Sequence, residues 1–284
     1  MDGLAEVSQH TINLFGYAIT INPITICMTW VVSFFILIFA ISVGKSLKLV
    51  PGPVQSFFEI IYDFLEEITI GTLGKIDGKK HLPFIIALFL FILCANWIGI
   101  VPNLFKILGS FLALLFSFFD SGIALTFHSL INIDIAVASG HWLSFMLEMP
   151  AFEEPTRSVN TDLALGLLVF LVVQAYGVKN KGVIGYLRNF FDDPFPMKGW
   201  VALFFFINPF FYLNLISAVA NVVSHSFRLF GNIFGGGMII VIVSTLLKYF
   251  LVPVGLFAFF GIFAGLVQAF VFTMLAVTYI QQQQ

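Results

Sequence analysis

One permanent cation, Arg228, lies inside a long apolar stretch running from Trp200 to Gly237. The polar residues around it are Asn208, Asn214, Ser217, Asn221, Ser224, His225 and Asn232, set among Phe, Leu, Ile, Val and Ala. From Asn214 onward they recur every three or four residues, which on a helix lines them along one face. A guanidinium does not lose its proton inside a protein, so it stays charged wherever the fold puts it. Isolated near the middle of a bilayer it costs from about 2.5 to more than 10 kcal/mol. It therefore needs a carboxylate, bound water, or a ring of amides and carbonyls. The chemistry that suits it is electrostatic: it attracts a mobile carboxylate, displaces the cation that carboxylate carries, and bars free cations from passing. Gln268, the one strongly polar residue inside the last apolar stretch, is a second candidate.

The element that positions the arginine must be long. A helix starting near Trp200 carries Arg228 about 42 Å along its axis, against a hydrocarbon core about 30 Å thick. An upright helix would push the charge out of the far side, whereas a strongly tilted one keeps it near mid-membrane. The other reading makes Ser224 to Gly237 an interfacial loop with a snorkelling arginine. The helical spacing favours the tilted helix, since a loop has no reason to keep it.

Composition sets the class. With 284 residues, 60% hydrophobic, 10% charged and a mean hydropathy of +1.02, the chain is far from a soluble domain. It reads as an all-α polytopic membrane protein, because its apolar runs are continuous where a β-barrel would alternate. The 37 Phe are lipid-facing bulk and packing. Cys27 and Cys94 both fall in apolar runs and read as buried free thiols. No basic patch suits nucleic acid. No phosphate-binding Gly-Lys-Ser/Thr loop occurs, and the five His lack metal-site spacing, so neither an enzyme active site nor a cofactor is expected.

Five spans and one interfacial helix are predicted in a single membrane domain, residues 1–284. The first span covers 24–43 and is followed by Lys45 and Lys48, which places that end inside and the N-terminus outside. Residues 53–70 form an amphipathic helix, with Phe57, Ile60, Ile61, Phe64, Leu65 and Ile68 opposite Glu59, Asp63, Glu66 and Glu67. Its acidic face argues for packing on a neighbouring subunit or the next span over binding to anionic lipid. The second span covers 83–101, where Asn96 is read as a solvated helix end or as part of an ion path. Residues 103–160 are an outer insertion that dips into the interface, and their acids either enrich cations near an access route or are simply solvated. The third span covers 162–178, with Asp162 at its N-terminus, a place that suits an acid even without a function. Lys179, Lys181, Arg188 and Lys198 return the chain inside, and Asp192 to Pro196 make a turn. The long tilted helix covers 201–236, Gly235 to Gly237 form a flexible or tightly packed join, and the last helix covers 238–280. Lys248 anchors the outer turn. Gly261, Gly265 and Gln268 share a face that allows close helix approach. Nine of the thirteen Lys and Arg (45, 48, 75, 79, 80, 179, 181, 188, 198) then fall inside, which supports this orientation.

The segment Ser226-Phe-Arg-Leu-Phe-Gly-Asn232 resembles the most diagnostic motif of subunit a of F-type ATP synthases. Pro51-Gly-Pro-Val-Gln-Ser-Phe-Phe-Glu59, Asn96-Trp-Ile-Gly-Ile-Val-Pro102 and Pro155-Thr-Arg-Ser-Val-Asn-Thr161 are similar to further stretches of that family. The resemblance implies a non-catalytic stator subunit that couples ion flow to rotation of a c-ring through two offset half-channels. It also implies peripheral-stalk b subunits as partners, a surround of membrane lipid, and a bacterial cytoplasmic membrane. By motif, Arg228 faces the rotor carboxylates, Gln268 corresponds to the family's glutamine on the last helix, and Asn232 sits one turn from the arginine. Asn214, Ser217, Asn221, Ser224 and His225 become candidate half-channel lining.

The chain departs from the family pattern at three places. Ser158 stands where an Asp is usual, and Asp162, one turn on, is positioned to substitute. Many relatives carry ionisable residues at the positions of Gly237 and Gly261. A route of amides, hydroxyls and water has fewer proton relays, so the transported ion is expected to be H⁺ or Na⁺, with Na⁺ as the hypothesis. The competing classes are a self-contained channel or secondary transporter, and a non-conducting scaffold. The first would normally show paired intramembrane charges or repeated halves, which this sequence does not.

Overall fold

The computed structural model describes residues 10–14, 17–45, 47–101, 103–117, 123–127, 133–137, 142–147, 152–189, 209–247 and 251–284. Several predicted features lie outside these residues: the start of the long helix at 201–208, the turn at Asp192 to Pro196, and Lys248. The chain divides into two compact units, residues 1–28 with 98–153, and residues 29–97 with 154–284.

The first unit holds two antiparallel hairpins and two short helices. Strands β1 (His10–Leu14) and β2 (Tyr17–Ile21) pair with His10 opposite Ile21, and β3 (Ile123–Phe127) and β4 (Ile133–Val137) with Ile123 opposite Val137. Helix α4 (Leu104–Phe116) is capped by Asn103, whose side chain accepts from the Lys106 amide at 3.1 Å. It packs against α5 (Ser144–Leu147) around the fully buried Ala113 and Leu143. At 13 residues α4 is too short to cross a bilayer upright.

The spanning part is helical, as lipid requires of any segment that must satisfy its own backbone. Five helices are long and apolar enough to cross, within Pro23–Lys45, Lys75–Ile100, Val159–Tyr186, Tyr212–Leu246 and Gly255–Gln281. Helix α1 (Pro23–Lys45) opens on Asn22, whose Oδ1 accepts from the Ile24 amide at 3.0 Å. It buries little of itself and touches α2 (Pro53–Leu73) through Phe39 on Phe58, ring centroids 4.6 Å apart. Cys27 is consequently exposed on its surface and not buried as expected, while Cys94 is half-buried and also free.

Helix α2 (Pro53–Leu73) buries Leu65, Thr69 and Leu73, one turn apart, against α3 (Lys75–Trp97) and α9 (Gly265–Gln281). The acidic amphipathic helix thus packs on the next span. The α3 helix begins eight residues before Pro83, where the apolar run starts. Hydropathy marks the part that meets lipid, and the helix extends beyond it through polar residues, Asp77 and Lys80 making an exposed ion pair at 3.6 Å. The core joins Leu82, Ile85, Phe89 and Ile92 of α3 to Val169, Val173 and Tyr176 of α6 (Val159–Asn189), Leu229 of α7 (Pro209–Leu247), and Ala269, Phe272 and Ala276 of α9. Inside lipid such contacts act through close packing, which small residues allow.

Helix α6 (Val159–Asn189) breaks at Gly182, whose φ of 71° and ψ of 163° belong to a region essentially closed to residues with a Cβ. The reversal brings Tyr186 back over Gly177, and its hydroxyl donates to Gln174 Oε1.

Helix α7 (Pro209–Leu247) runs unbroken through Gly235 to Gly237, so these glycines are no join. Gly236 instead presses on the ring of Phe260, which a Cβ would approach to 3.0 Å. The last segment is not one helix from 238 but α8 (Leu251–Ala258), a π-helical turn over Phe259–Ala264, and α9. At 39 residues α7 is about 58 Å long, well beyond an upright crossing.

Candidate functional site

Three pairs of contacts set α7 against the last segment. Asn232 Nδ2 donates to the Ala264 carbonyl at 3.4 Å, His225 Nε2 lies 3.4 Å from the Phe272 carbonyl, and the Tyr279 hydroxyl donates to Asn221 Oδ1 at 3.3 Å. Residue numbers rise on one helix as they fall on the other, so the two are antiparallel, and this register brings Gln268 level with Arg228. The α6–α7 register follows from Gly166, where a Cβ would meet Ser226 Oγ at 2.5 Å and the Val222 carbonyl at 3.1 Å. One turn back along α6, Asp162 also comes level with Arg228.

The three residues at this level differ sharply in environment. Arg228 is exposed, and among the described residues it makes no ion pair. Asp162 is fully buried, and neither carboxyl oxygen has a hydrogen-bond partner; its own amide bonds to the Ser158 carbonyl at 3.2 Å. Asp162 lies in the first turn of its helix, where the helix dipole favours an acid whether or not it has a function. Gln268 is 8% exposed with Nε2 unpartnered. A buried polar group left unpaired in protein costs about 1–3 kcal/mol, and such groups in a native fold call for a reason.

Below this level the polar stripe opens into a cavity of about 420 Å³ between α6, α7 and the end of α9. Asn214, Ser217, Asn221 and His225 line it, together with Gln174, Lys181, Tyr186, Tyr279, Gln282 and Gln283. His225 is held edge-on to Phe272, with ring centroids 4.5 Å apart. Ser224 does not join the wall. It is exposed on the same side as Arg228, because one residue along a helix turns the side chain by about 100°. The predicted stripe is thus divided: four members face the cavity, Ser224 and Arg228 face outward, and Asn232 bonds to the π turn.

Some of the site was not anticipated. Asn96, read from the sequence as a solvated helix end or as part of an ion path, is 4% exposed; its Nδ2 donates to the Gly265 carbonyl at 3.1 Å, and its Oδ1 accepts from Thr156 at 2.7 Å. Gln174 was findable, as the one amide in the run Leu163 to Tyr176. Tyr186 and Gly166 offered no signal, because their roles depend on a chain reversal and a helix contact.

Five helices long and apolar enough to cross a membrane, with a polar cavity between three of the chain's helices, define a polytopic membrane protein. The family model described as ATP synthase A chain matches residues 26–281, and the chain belongs to that family, the membrane-embedded, non-catalytic, ion-translocating stator part of the ATP synthase. It is similar to "ATP synthase subunit a" of Desulforamulus reducens, 28% identical over 93% of this chain and 80% of the relative. The same protein of Geotalea daltonii is 30% identical over 90% and 85%. "ATP synthase subunit a, sodium ion specific" of Propionigenium modestum is 32% identical over 94% and 75%.

Proposed function

We propose that this chain faces a rotating c-ring, with Arg228 as the fixed charge and two offset half-channels reaching it from opposite sides. The observation that carries the reading is the exposed guanidinium, which makes no ion pair among the described residues. A charge that cannot be neutralised by deprotonation, set on an outward face, needs an acid from elsewhere. When a rotor carboxylate arrives, the arginine attracts it and releases its ion. The same charge repels a free cation that would otherwise pass from one route to the other.

The cavity below Arg228 serves as the inner route, since the Lys-rich side of the chain is the inner side by charge bias. Its amides, hydroxyls and imidazole can hold several waters. Asp162 and Gln268, both with unpaired polar atoms, belong to the path near the arginine, and Asn232 steadies α7 against the last segment. In this orientation the N-terminus lies outside and the C-terminus inside a bacterial cytoplasmic membrane, with b subunits of the peripheral stalk as further partners.

The coupling ion in this reading is Na⁺. Glycines at 237 and 261 leave the route without ionisable side chains there, and a partly hydrated cation needs oxygen ligands and water in place of relays. In the complex purified in mild detergent and returned to vesicles, c-ring is expected to copurify, and ATP synthesis to saturate with sodium at constant pH. Rates that follow pH and ignore sodium would remove the sodium assignment. A preparation without c-ring would remove the stator assignment.

A further inference from the structure

The π turn at Phe259–Ala264 sits directly before α9 and Gln268. A π turn is one residue wider than an α turn, with i→i+5 in place of i→i+4 bonds. Three carbonyls at this turn are met by side chains from two other helices. Trp97 Nε1 of α3 donates to the Ile262 carbonyl at 3.2 Å, Asn232 Nδ2 of α7 to Ala264 at 3.4 Å, and Asn96 Nδ2 of α3 to Gly265 at 3.1 Å. Asn96 is tied in turn to Thr156, itself fully buried. The approach is close: a Cβ on Gly265 would stand 3.2 Å from that of Asn96.

We propose that Asn96 is a positioning residue for ion translocation, holding the π turn so that α9 presents Gln268 level with Arg228. Moving the extra residue out of this turn would rotate the helix beyond it by about 100° and slide it by about 1.5 Å. Gln268 would then leave the level of the arginine, although no contact of Arg228 itself had changed. Asn96 suits the task because one amide both donates to Gly265 and accepts from Thr156, so α3, α9 and the turn before α6 are locked at a single point. Its two bonds lie in a buried site, where an unmatched amide or carbonyl is costly. A solvated asparagine would have no reason to occupy both.

The inference rests on the reading of Arg228 and Gln268 given above, and the two can fail separately. The test is ATP synthesis and ATP-driven ion pumping in vesicles, each expressed per assembled complex. Asn96→Leu is expected to lower both at least tenfold per complex and to raise ATP hydrolysis relative to ions pumped. Thr156→Val, which removes the donor to Asn96, is expected to lower synthesis several-fold, and Thr156→Ser to restore it. Should the leucine variant not assemble, the Val and Ser pair at 156 decides alone. A purely structural Asn96 would lower the amount of complex and leave ions pumped per ATP unchanged, and that result overturns the proposal. If Arg228→Ala abolishes synthesis while the variants at 96 and 156 stay coupled, only the positioning role is lost.

Discussion

Replacing Arg228 by alanine is expected to abolish ATP synthesis, to below about a thousandth of the parent rate, while the complex still assembles. The side chain is exposed and makes no ion pair among the described residues, so removing it deletes no internal bond and leaves no buried group stranded. Its neighbours Leu229 and Ser226, fully or almost fully buried, carry the packing of that turn instead. Assembly should therefore be close to normal. The loss falls on the step in which a rotor carboxylate gives up its ion, since no other described basic residue lies on that face of α7. A charge attraction in a low-dielectric site, about 4 kcal/mol at 4 Å for an effective dielectric constant of 20, corresponds to roughly a thousandfold in rate. Arg228→Lys should recover little, because an ammonium lacks the planar fork and loses its proton more readily when desolvated. Synthesis, ion-driven rotation and ion leak measured on the same preparation check this. Retained synthesis in the alanine variant would refute the stator role.

The second large effect is expected at Gly166, on the contact between α6 and α7. An added methyl would fall 2.5 Å from Ser226 Oγ and 3.1 Å from the Val222 carbonyl. The hydroxyl can turn away only by giving up its bond to Val222, made at 2.9 Å, and the carbonyl belongs to backbone that cannot turn at all. Gly166→Ala therefore separates the helices or strains both, at a cost of about 1–3 kcal/mol. Gly166→Val should be worse. Since the same contact sets the level of Asp162 and one wall of the cavity, synthesis is expected to fall at least tenfold along with thermal stability. Ser226→Ala in the Gly166→Ala background removes the nearer clash and is expected to recover most of the loss, a coupling that a double-mutant cycle reads directly. Additive effects would show that the two residues do not meet.

How much of this could be read beforehand depended on the kind of interaction. Arg228 and the polar stripe were legible because helical periodicity survives in sequence: the residues at 214, 217, 221 and 225 do share one cavity wall. Ser224 fits the spacing and yet falls on the other side, because spacing defines an arc and not which neighbour covers which part of it. Span positions were legible from hydropathy, but helix ends were not. The α3 helix starts at Lys75 because polar residues continue a helix outside lipid as well as apolar ones do. Three successive glycines at 235–237 suggested a break, each costing about 1 kcal/mol relative to alanine in a solvated helix. Within a bilayer glycine is common in helices, and here Gly236 lets Phe260 approach. The π turn and the bridge through Asn96 were invisible, since each is decided by a partner far away in the chain, and so was the reversal at Gly182, because a single glycine in sequence does not reveal which φ it adopts.

The most direct measurement of the central claim is cysteine cross-linking across the outward face of α7 in the intact complex. Cysteines at Ser224, Phe227 and Gly231, all exposed beside Arg228, are each paired with a cysteine next to the ion-binding carboxylate of the rotor subunit; Ser226 and Leu229, both buried, serve as controls. The exposed positions are expected to form rotor disulfides in high yield under mild oxidation, and the controls none. Rotor cross-links confined to other helices, with none from the Arg228 face, would contradict the account.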